Sequence, residues 1–266
     1  MAALFVAQLS DAHIGAPGVA LAKGLDTAPF LSQAVASVMR MKPRPDVVIF
    51  TGDLVESGAA AEYAHFRQLV APLSMPMFVL PGNHDARDTL REAFSTERYL
   101  PAGDRLDYVI ERWPLRLIML DTIVPRAPHG ELSAAQLTWL DGTLADQPPR
   151  PTLIALHHPP FQSGIVHMDA MALTRPEALE AVVARHPQVV GVTCGHLHRM
   201  MAQRYGHSLA VSAPSVAHQI ALDLNDVPEP RYIMEPPGFL LHRWDGARLT
   251  THFVASGDFG EGKNFG

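Results

Sequence analysis

Short apolar runs that stop on the same few polar residues recur along this chain. Leu4–Leu9 stops on Ser-Asp-Ala-His and 46–50 on Thr-Gly-Asp, and both have the length and continuity of buried strands. Between them, residues 27–41 place Phe30, Leu31, Ala34, Val35, Val38 and Met39 at helical spacing and end before Pro43, which predicts strand, helix, strand. The pattern then repeats, with a helix over 62–70, a strand at Met77–Leu80 that stops on Pro-Gly-Asn-His-Asp, and a helix over 87–94. Further strands are expected at 107–110, 115–121, 152–157 and 189–193, with helices over 133–144 and 176–184. Strands that alternate with helices imply a mostly parallel sheet.

Helical periodicity ends at Cys194. Residues 204–211 and 239–253 read as hairpins, the latter turning at Asp245-Gly246, and are expected to build a second sheet. Segment 213–237 is rich in proline and polar residues, too irregular for a core element, and suited to capping a site or contacting a neighbouring subunit. The glycine-rich tail 257–266 is expected to be mobile.

Composition narrows the classes. At 266 residues and 47% hydrophobic, the chain is suited to one α/β domain, expected over 1–256. Its 21 basic and 27 acidic side chains give a net charge of −6 with no basic run, which argues against a nucleic-acid polymer as partner. The single cysteine, Cys194, excludes an intrachain disulfide, and the N-terminus shows no leader pattern, so a cytoplasmic protein is expected. No run reaches the roughly 18 consecutive apolar residues that would span a bilayer, and no membrane partner is expected.

Five clusters hold nearly all the candidate ligands: Asp11-Ala12-His13, Gly52-Asp53, Gly82-Asn83-His84-Asp85, His157-His158-Pro159 and Gly195-His196-Leu197-His198. Each follows a predicted strand, and the carboxyl ends of strands in an α/β sheet line one crevice, so the clusters should converge. Asp11 and His13 lie two positions apart, as do His196 and His198, and extended chain would send both members of each pair to one side. Imidazole mixed with carboxylate suits Zn, Mn, Fe or Co, whereas an all-oxygen set would suit Mg or Ca. Gly52 and Gly82 would let the backbone turn sharply beneath the cations.

These blocks, D-x-H, G-D, G-N-H-D, H and G-H-x-H in that order, resemble the calcineurin-like metallophosphoesterases from about Gln8 to His198. His-His-Pro-Pro at 157–160 and Ala-Pro-Ser-Val-Ala-His at 213–218 look like the bacterial branch of glycerophosphodiesterases and class III cyclic-nucleotide phosphodiesterases. The resemblance implies a four-layer αββα sandwich, two mixed sheets flanked by helices. It also implies a dinuclear centre in which Asp53 bridges, Asp11, His13 and His198 complete one metal site, and Asn83, His157 and His196 the other. Hydroxide held by two such cations would attack phosphorus in a small phosphodiester, with Asn83 also meeting the substrate. His84 resembles the family's histidine that contacts phosphate and protonates the leaving group. Glu56 stands where related phosphatases carry an acid that orients this histidine, which predicts a Glu56–His84 hydrogen bond. His158 is expected behind the ligands, and His218 resembles a substrate-contacting histidine of the branch. Related enzymes form dimers or larger oligomers, so a homo-oligomer is expected.

Blander readings apply elsewhere. A lone histidine is ordinarily a hydrogen-bonded core or surface residue, and His65, His129, His167, His186, His207, His242 and His252 read that way. Cys194 reads as a small core residue, Asp85 and Arg87 as helix-start solvation, and Asp121 matches no ligand block. The rival activities are a phosphomonoesterase or protein phosphatase on the same metal core, or a scaffold that keeps the fold without catalysis.

Overall fold

Strand β1 (Leu4–Leu9) displays both faces of the architecture. Leu4 and Val6 enter an apolar cluster with Tyr108, Leu117 and Trp244, while Ala7 and Leu9 enter another with Leu31, Val38 and Phe66. Burial on both faces is why the strand reads as an apolar run, with Gln8 its one polar residue. The computed structural model describes residues 3–21, 24–146, 148–225, 229–260 and 262–265.

β1 pairs in parallel with β2 (Val47–Thr51), and β2 with β3 (Met77–Leu80). On its other side β1 meets β12 (Gly238–Trp244), which forms an antiparallel hairpin with β13 (Leu249–Ala255). The first sheet therefore runs β13-β12-β1-β2-β3. The second sheet runs β4-β5-β6-β7-β9-β8, built from β4 (Tyr108–Ile110), β5 (Arg116–Met119), β6 (Thr152–Ala155), β7 (Val189–Cys194), β8 (Met201–Tyr205) and β9 (Ser208–Ser212). Its interior pairs are parallel, and the edge strands β4 and β8 are antiparallel to their neighbours.

Helices α1 (Ala28–Arg40), α2 (Ala60–Val70) and α3 (Arg87–Ala93) supply apolar residues to the cluster on the outer face of the first sheet. α4 (Ala134–Ala145) and α6 (Pro176–Arg185) do the same for the second sheet, and α5 (Val166–Asp169) is a single turn. The third cluster lies between the sheets, so three apolar interfaces separate four layers, the expected αββα sandwich. Local signals explain several helix starts. Leu31, Ala34, Val35 and Val38 make the buried stripe of α1, and Ser133 caps α4 reciprocally with Gln136, an arrangement worth roughly 1 kcal/mol.

The expectation that the two late hairpins build a sheet of their own does not hold. β9 docks on β7 and β12 on β1, so one hairpin extends each sheet. Left bare, β1 and β7 would each present an edge of unpaired backbone groups, which the hairpins cover. Residues 213–237 are also less irregular than expected, because β10 (Gln219–Ile220) and β11 (Tyr232–Ile233) form a small antiparallel ladder. Residues 226–228 of that segment, and 261 and 266 of the tail expected to be mobile, lie outside the described residues. Among the described residues, no helix is long and apolar enough to cross a membrane.

Candidate metal centre

The β1–β2 ladder continues past both strand ends. Asp11 N donates to Gly52 O at 3.1 Å, His13 N to Asp53 O at 3.0 Å and Ile14 N to Leu54 O at 3.1 Å, so Asp11, His13 and Asp53 share one backbone frame. The pairing of Asp11 with His13 and of His196 with His198 does not come from extended chain, as the two-residue spacing suggested. All four residues, and Asp53 with them, hold left-handed backbone with φ between 47° and 67°. Such conformations cost about 1 kcal/mol or more each in non-glycine residues, and their concentration here is what a functional site looks like. Gly52 is also left-handed, at φ +92°, and a Cβ there would stand 2.3 Å from His157 Nδ1. A Cβ on Gly82 would stand 2.2 Å from Asp53 Oδ1, so both glycines admit the side chains that crowd the centre.

Strand ends from both sheets meet here, β1, β2 and β3 from one and β6 and β7 from the other. His157 Nε2 lies 3.4 Å from Asp53 Oδ2, 3.1 Å from Asn83 Oδ1 and 3.2 Å from His196 Nδ1. On the other flank of Asp53, His13 Nε2 lies 3.6 Å from Asp53 Oδ2 and 3.1 Å from His198 Nε2, and His198 Nε2 lies 3.6 Å from Asp11 Oδ1. The structure thus gathers the other six residues singled out as ligands around Asp53.

The outer ring nitrogens show which atoms face the centre. His13 Nδ1 donates to the Glu56 carboxylate at 3.0 Å, His157 Nδ1 to Thr51 O at 2.8 Å and His198 Nδ1 to His218 O at 3.0 Å. With Nδ1 committed, each Nε2 faces inward and, once deprotonated, directs its lone pair there, the arrangement that orients metal-binding histidines. Two such lone pairs at 3.1 Å repel unless a proton or a cation lies between them. Ligand atoms of Asp11, His13 and His198, and of Asp11, Asp53 and His157, fall within 4.8 Å of one another, and the donor set fits divalent cations.

Electrostatics divide the four imidazoles, with His13 and His157 raised and His196 and His198 lowered. Burial raises the Asp53 carboxyl, but the charge and hydrogen bond of His157 outweigh it and hold the group well below its usual range. Burial works against a charged His157, yet Asp53 and Asp11 raise it to about 9. Burial and the charge of His157 lower His196 to about 3, and burial and the charge of His13 hold His198 well below its usual value. Those two imidazoles are neutral at pH 7, as ligation requires.

His84 N donates to Asp53 Oδ1 at 2.9 Å, and His84 Nδ1 donates to the backbone oxygen of Glu56 at 2.8 Å. The expected Glu56–His84 hydrogen bond exists, but the main chain accepts it, and the carboxylate bonds His13 instead. His84 Nε2 is then the ring atom left to act in the cavity that His84 lines. His218 lines the same cavity with its Nδ1 buried and unbonded to protein, and burial and His13 lower it to about 4.

His158 lies within ligand reach of His157 and His196, but both its nitrogens are spent, Nδ1 on Thr122 Oγ1 at 2.7 Å and Nε2 on Pro128 O at 3.2 Å. Asp85 is a buried anchor, not a solvated helix start. Its carboxylate accepts from Gly82 N, Leu54 N and the Tyr63 hydroxyl, which braces the loop that carries Asn83 and His84. Arg87 pairs with buried Asp121 at 2.5 Å, away from the ligand atoms. Sequence reasoning passed over the cavity's apolar wall, Leu21, Leu25, Met168, Met171, Ile220 and Tyr232, because no motif marks it. The cavity is about 370 Å³.

Comparison with known proteins follows the same lines. Residues 6–200 match the family model described as calcineurin-like phosphoesterase. The chain is 36% identical over 258 residues to a probable glycerophosphodiester phosphodiesterase, GpdQ, of Arcobacter nitrofigilis, covering 96% of this chain and 94% of that one. It is 33% identical over 254 residues to the 3',5'-cyclic adenosine monophosphate phosphodiesterase CpdA of Pseudomonas aeruginosa, covering 94% and 89%. Among solved structures, a dimetal phosphatase from Danio rerio superposes with a TM-score of 0.62 at 16% identity, covering 96% of this chain and 99% of that one. A purple acid phosphatase from yellow lupin seeds gives 0.68 at 15% identity, covering 97% and 52%. At such low identity these two likenesses speak to the fold alone.

Proposed function

This chain belongs to the calcineurin-like phosphoesterase family, and from that premise we propose that it hydrolyses small phosphodiesters with two divalent cations. The observation that carries the reading is the convergence of Asp11, His13, Asn83, His157, His196 and His198 on Asp53, with the outer nitrogens of His13, His157 and His198 already anchored. In this reading Asp53 serves both cations, Asp11, His13 and His198 hold one, and Asn83, His157 and His196 hold the other. The imidazole-rich set suits Mn, Fe, Zn or Co. Bound there, two cations would supply Lewis acidity and a nucleophilic water at neutral pH.

The chain's own residues do the rest. His84, held by its Nδ1 on Glu56 O, presents Nε2 to protonate the departing alcohol oxygen. Asn83 adds a neutral carbonyl and no further negative charge opposite an anionic substrate. His218, neutral at pH 7, offers a ring nitrogen to a phosphate substituent. Residues 213–237 act as a cap, since His218, Ile220 and Tyr232 close one side of the cavity.

Two observations favour diesters over monoesters. The relatives named above are phosphodiesterases, one for glycerophosphodiesters and one for cyclic adenosine monophosphate. Among the described residues the cavity lining contains neither lysine nor arginine, the usual partners of a phosphate dianion, and its apolar wall suits the second substituent of a diester. The test is a hydrolysis screen of the metal-loaded protein over glycerophosphodiesters, cyclic nucleotides, and bis- and mono-nitrophenyl phosphate. Faster turnover of the mono- than the bis-ester would replace this reading with the phosphomonoesterase. No turnover of any ester by protein that holds two cations would leave the scaffold.

A further inference from the structure

A second and larger cavity, about 800 Å³, opens on the far side of the sandwich, where the hairpins β8–β9 and β12–β13 face each other. Small residues line it, Ala202 on β8 and Ala247 in the β12–β13 turn, and at its base the two sheets touch, since a Cβ on Gly191 of β7 would stand 2.8 Å from Leu249 Cδ2. Its floor is apolar, made by Leu153, Val190, Val211 and Leu249, and Leu209 lies in its wall 55% exposed. We propose that this wedge binds a small anionic amphiphile, an aliphatic chain with a carboxylate or phosphate head.

Charge selects that occupant. Arg204 and Arg248 are exposed where they line the wedge, and among the described residues no Asp or Glu lines it with them. Among the described residues, the Arg204 guanidinium bonds only the Gly206 carbonyl, at 3.3 Å, and the Arg248 guanidinium has no ion pair. Two guanidiniums beside an apolar cleft pair with an anionic head while the cleft removes the chain from water. A volume of this size is ordinary for a small-molecule site. A second copy of the chain fits worse. A twofold interface sets the same patch against itself, so Arg204 and Arg248 would meet their own copies with no lining carboxylate to neutralise them.

Binding is measured on the metal-loaded full chain by calorimetry below micelle-forming concentrations, with dodecanoate, dodecyl phosphate, dodecyltrimethylammonium and inorganic phosphate as probes. Beyond any binding at the metal centre, which both wedge variants retain, dodecanoate and dodecyl phosphate are expected to bind one per chain, and dodecyltrimethylammonium and inorganic phosphate at least about tenfold more weakly. The double variant Arg204→Glu/Arg248→Glu, and separately Ala202→Trp, which fills the wedge, should each weaken both anionic probes by at least about tenfold. Both should hydrolyse bis-nitrophenyl phosphate as the unsubstituted protein does, since no substituted residue touches the metal centre. The proposal is overturned if dodecyltrimethylammonium binds as tightly as dodecanoate, if neither anionic probe binds, or if both variants bind them unchanged. It is likewise overturned if the double variant changes the mass in light scattering but not the affinity for amphiphiles, which would assign the wedge to a second copy. None of these readouts depends on whether the chain cleaves phosphodiesters.

Discussion

Two openings interrupt the same sandwich, and they are built by opposite means. Around the cavity at the strand ends, five non-glycine residues hold left-handed backbone and buried imidazoles stand 3.1 to 3.2 Å apart. Along the wedge between the late hairpins, no lining residue has positive φ, and the space comes from missing side-chain volume. The larger opening is the one without chemistry. What separates the two is the density of lone pairs and carboxylates that protein partners leave incompletely neutralised, and size carries no information about it.

The largest expected effect breaks that density at its middle. Asn tolerates left-handed backbone, and in Asp53→Asn its amide oxygen can still accept from His84 N, so the substitution removes charge with little strain. Activity should fall by at least about 10³-fold, and metal analysis should find fewer than two cations per chain. Retention of two cations with normal turnover would end the bridging role. Next in size is His84→Gln. It should lower kcat by about 10²–10⁴-fold for an alkyl leaving group and much less for nitrophenolate, which departs without a proton. An equal loss for both substrates would mean that His84 positions substrate and does not protonate it.

The comparison also predicts a pH dependence confined to the metal centre. His157, raised to about 9 by Asp53 and Asp11 against the effect of burial, is protonated at pH 7 in the metal-free protein. Ligation needs that nitrogen's lone pair, so binding releases the proton and strengthens as pH rises. Apparent metal affinity should climb at least about tenfold per unit between pH 7 and 9, His13, also raised, adding to the slope of His157, and level off above. Chelator competition at three pH values measures it, and a flat profile would remove His157 from the ligand set. Asp53, held low, stays ionised throughout and adds nothing to the slope.

How much of this was legible in the sequence follows from how each feature is held. β1 and β3 keep the limits that their apolar runs predict, because each run ends abruptly, β1 at Ser10-Asp11 and β3 at Pro81-Gly82. The ligand clusters were legible for a related reason: only the residue that meets the metal must be Asp, Asn or His, and its neighbours in the chain keep the spacing. Sheet membership was not, since alternation reports burial and says nothing about the partner. Gln8 shows the limit. It is a polar residue in an apolar strand, and its amide ties Thr51 to the Cys194 carbonyl across the two sheets while its oxygen accepts from Thr193 and meets His242 Nε2 at 2.9 Å. Nothing in residues 4–9 names those partners. The ladder of β10 and β11, two residues each, and the single turn of α5 are too short for any period to register.

Glu56 gives the smallest effect and the sharpest one. Its carboxylate bonds His13 Nδ1 at 3.0 Å and lies 3.7 Å from His84 Nδ1, whereas its backbone oxygen takes the His84 hydrogen bond at 2.8 Å. Because His84 and Glu56 sit on loops that follow β3 and β2, that second bond survives any side-chain change that leaves the loops in place. Glu56→Gln therefore should leave the alkaline limb of the pH–rate profile, set by loss of the proton that His84 donates, where it is. The amide can still accept from His13 but brings no charge to polarise the imidazole, so affinity at the site that His13 serves should fall about tenfold, the lower end for losing a carboxylate behind a metal-bound histidine. Titration of the stripped protein with Mn, beside the pH–rate profile of the loaded one, separates the two bonds. A shifted alkaline limb with unchanged Mn affinity would mean that the carboxylate serves His84 and not His13, and the anchoring argument for the metal centre would lose one of its three hydrogen bonds.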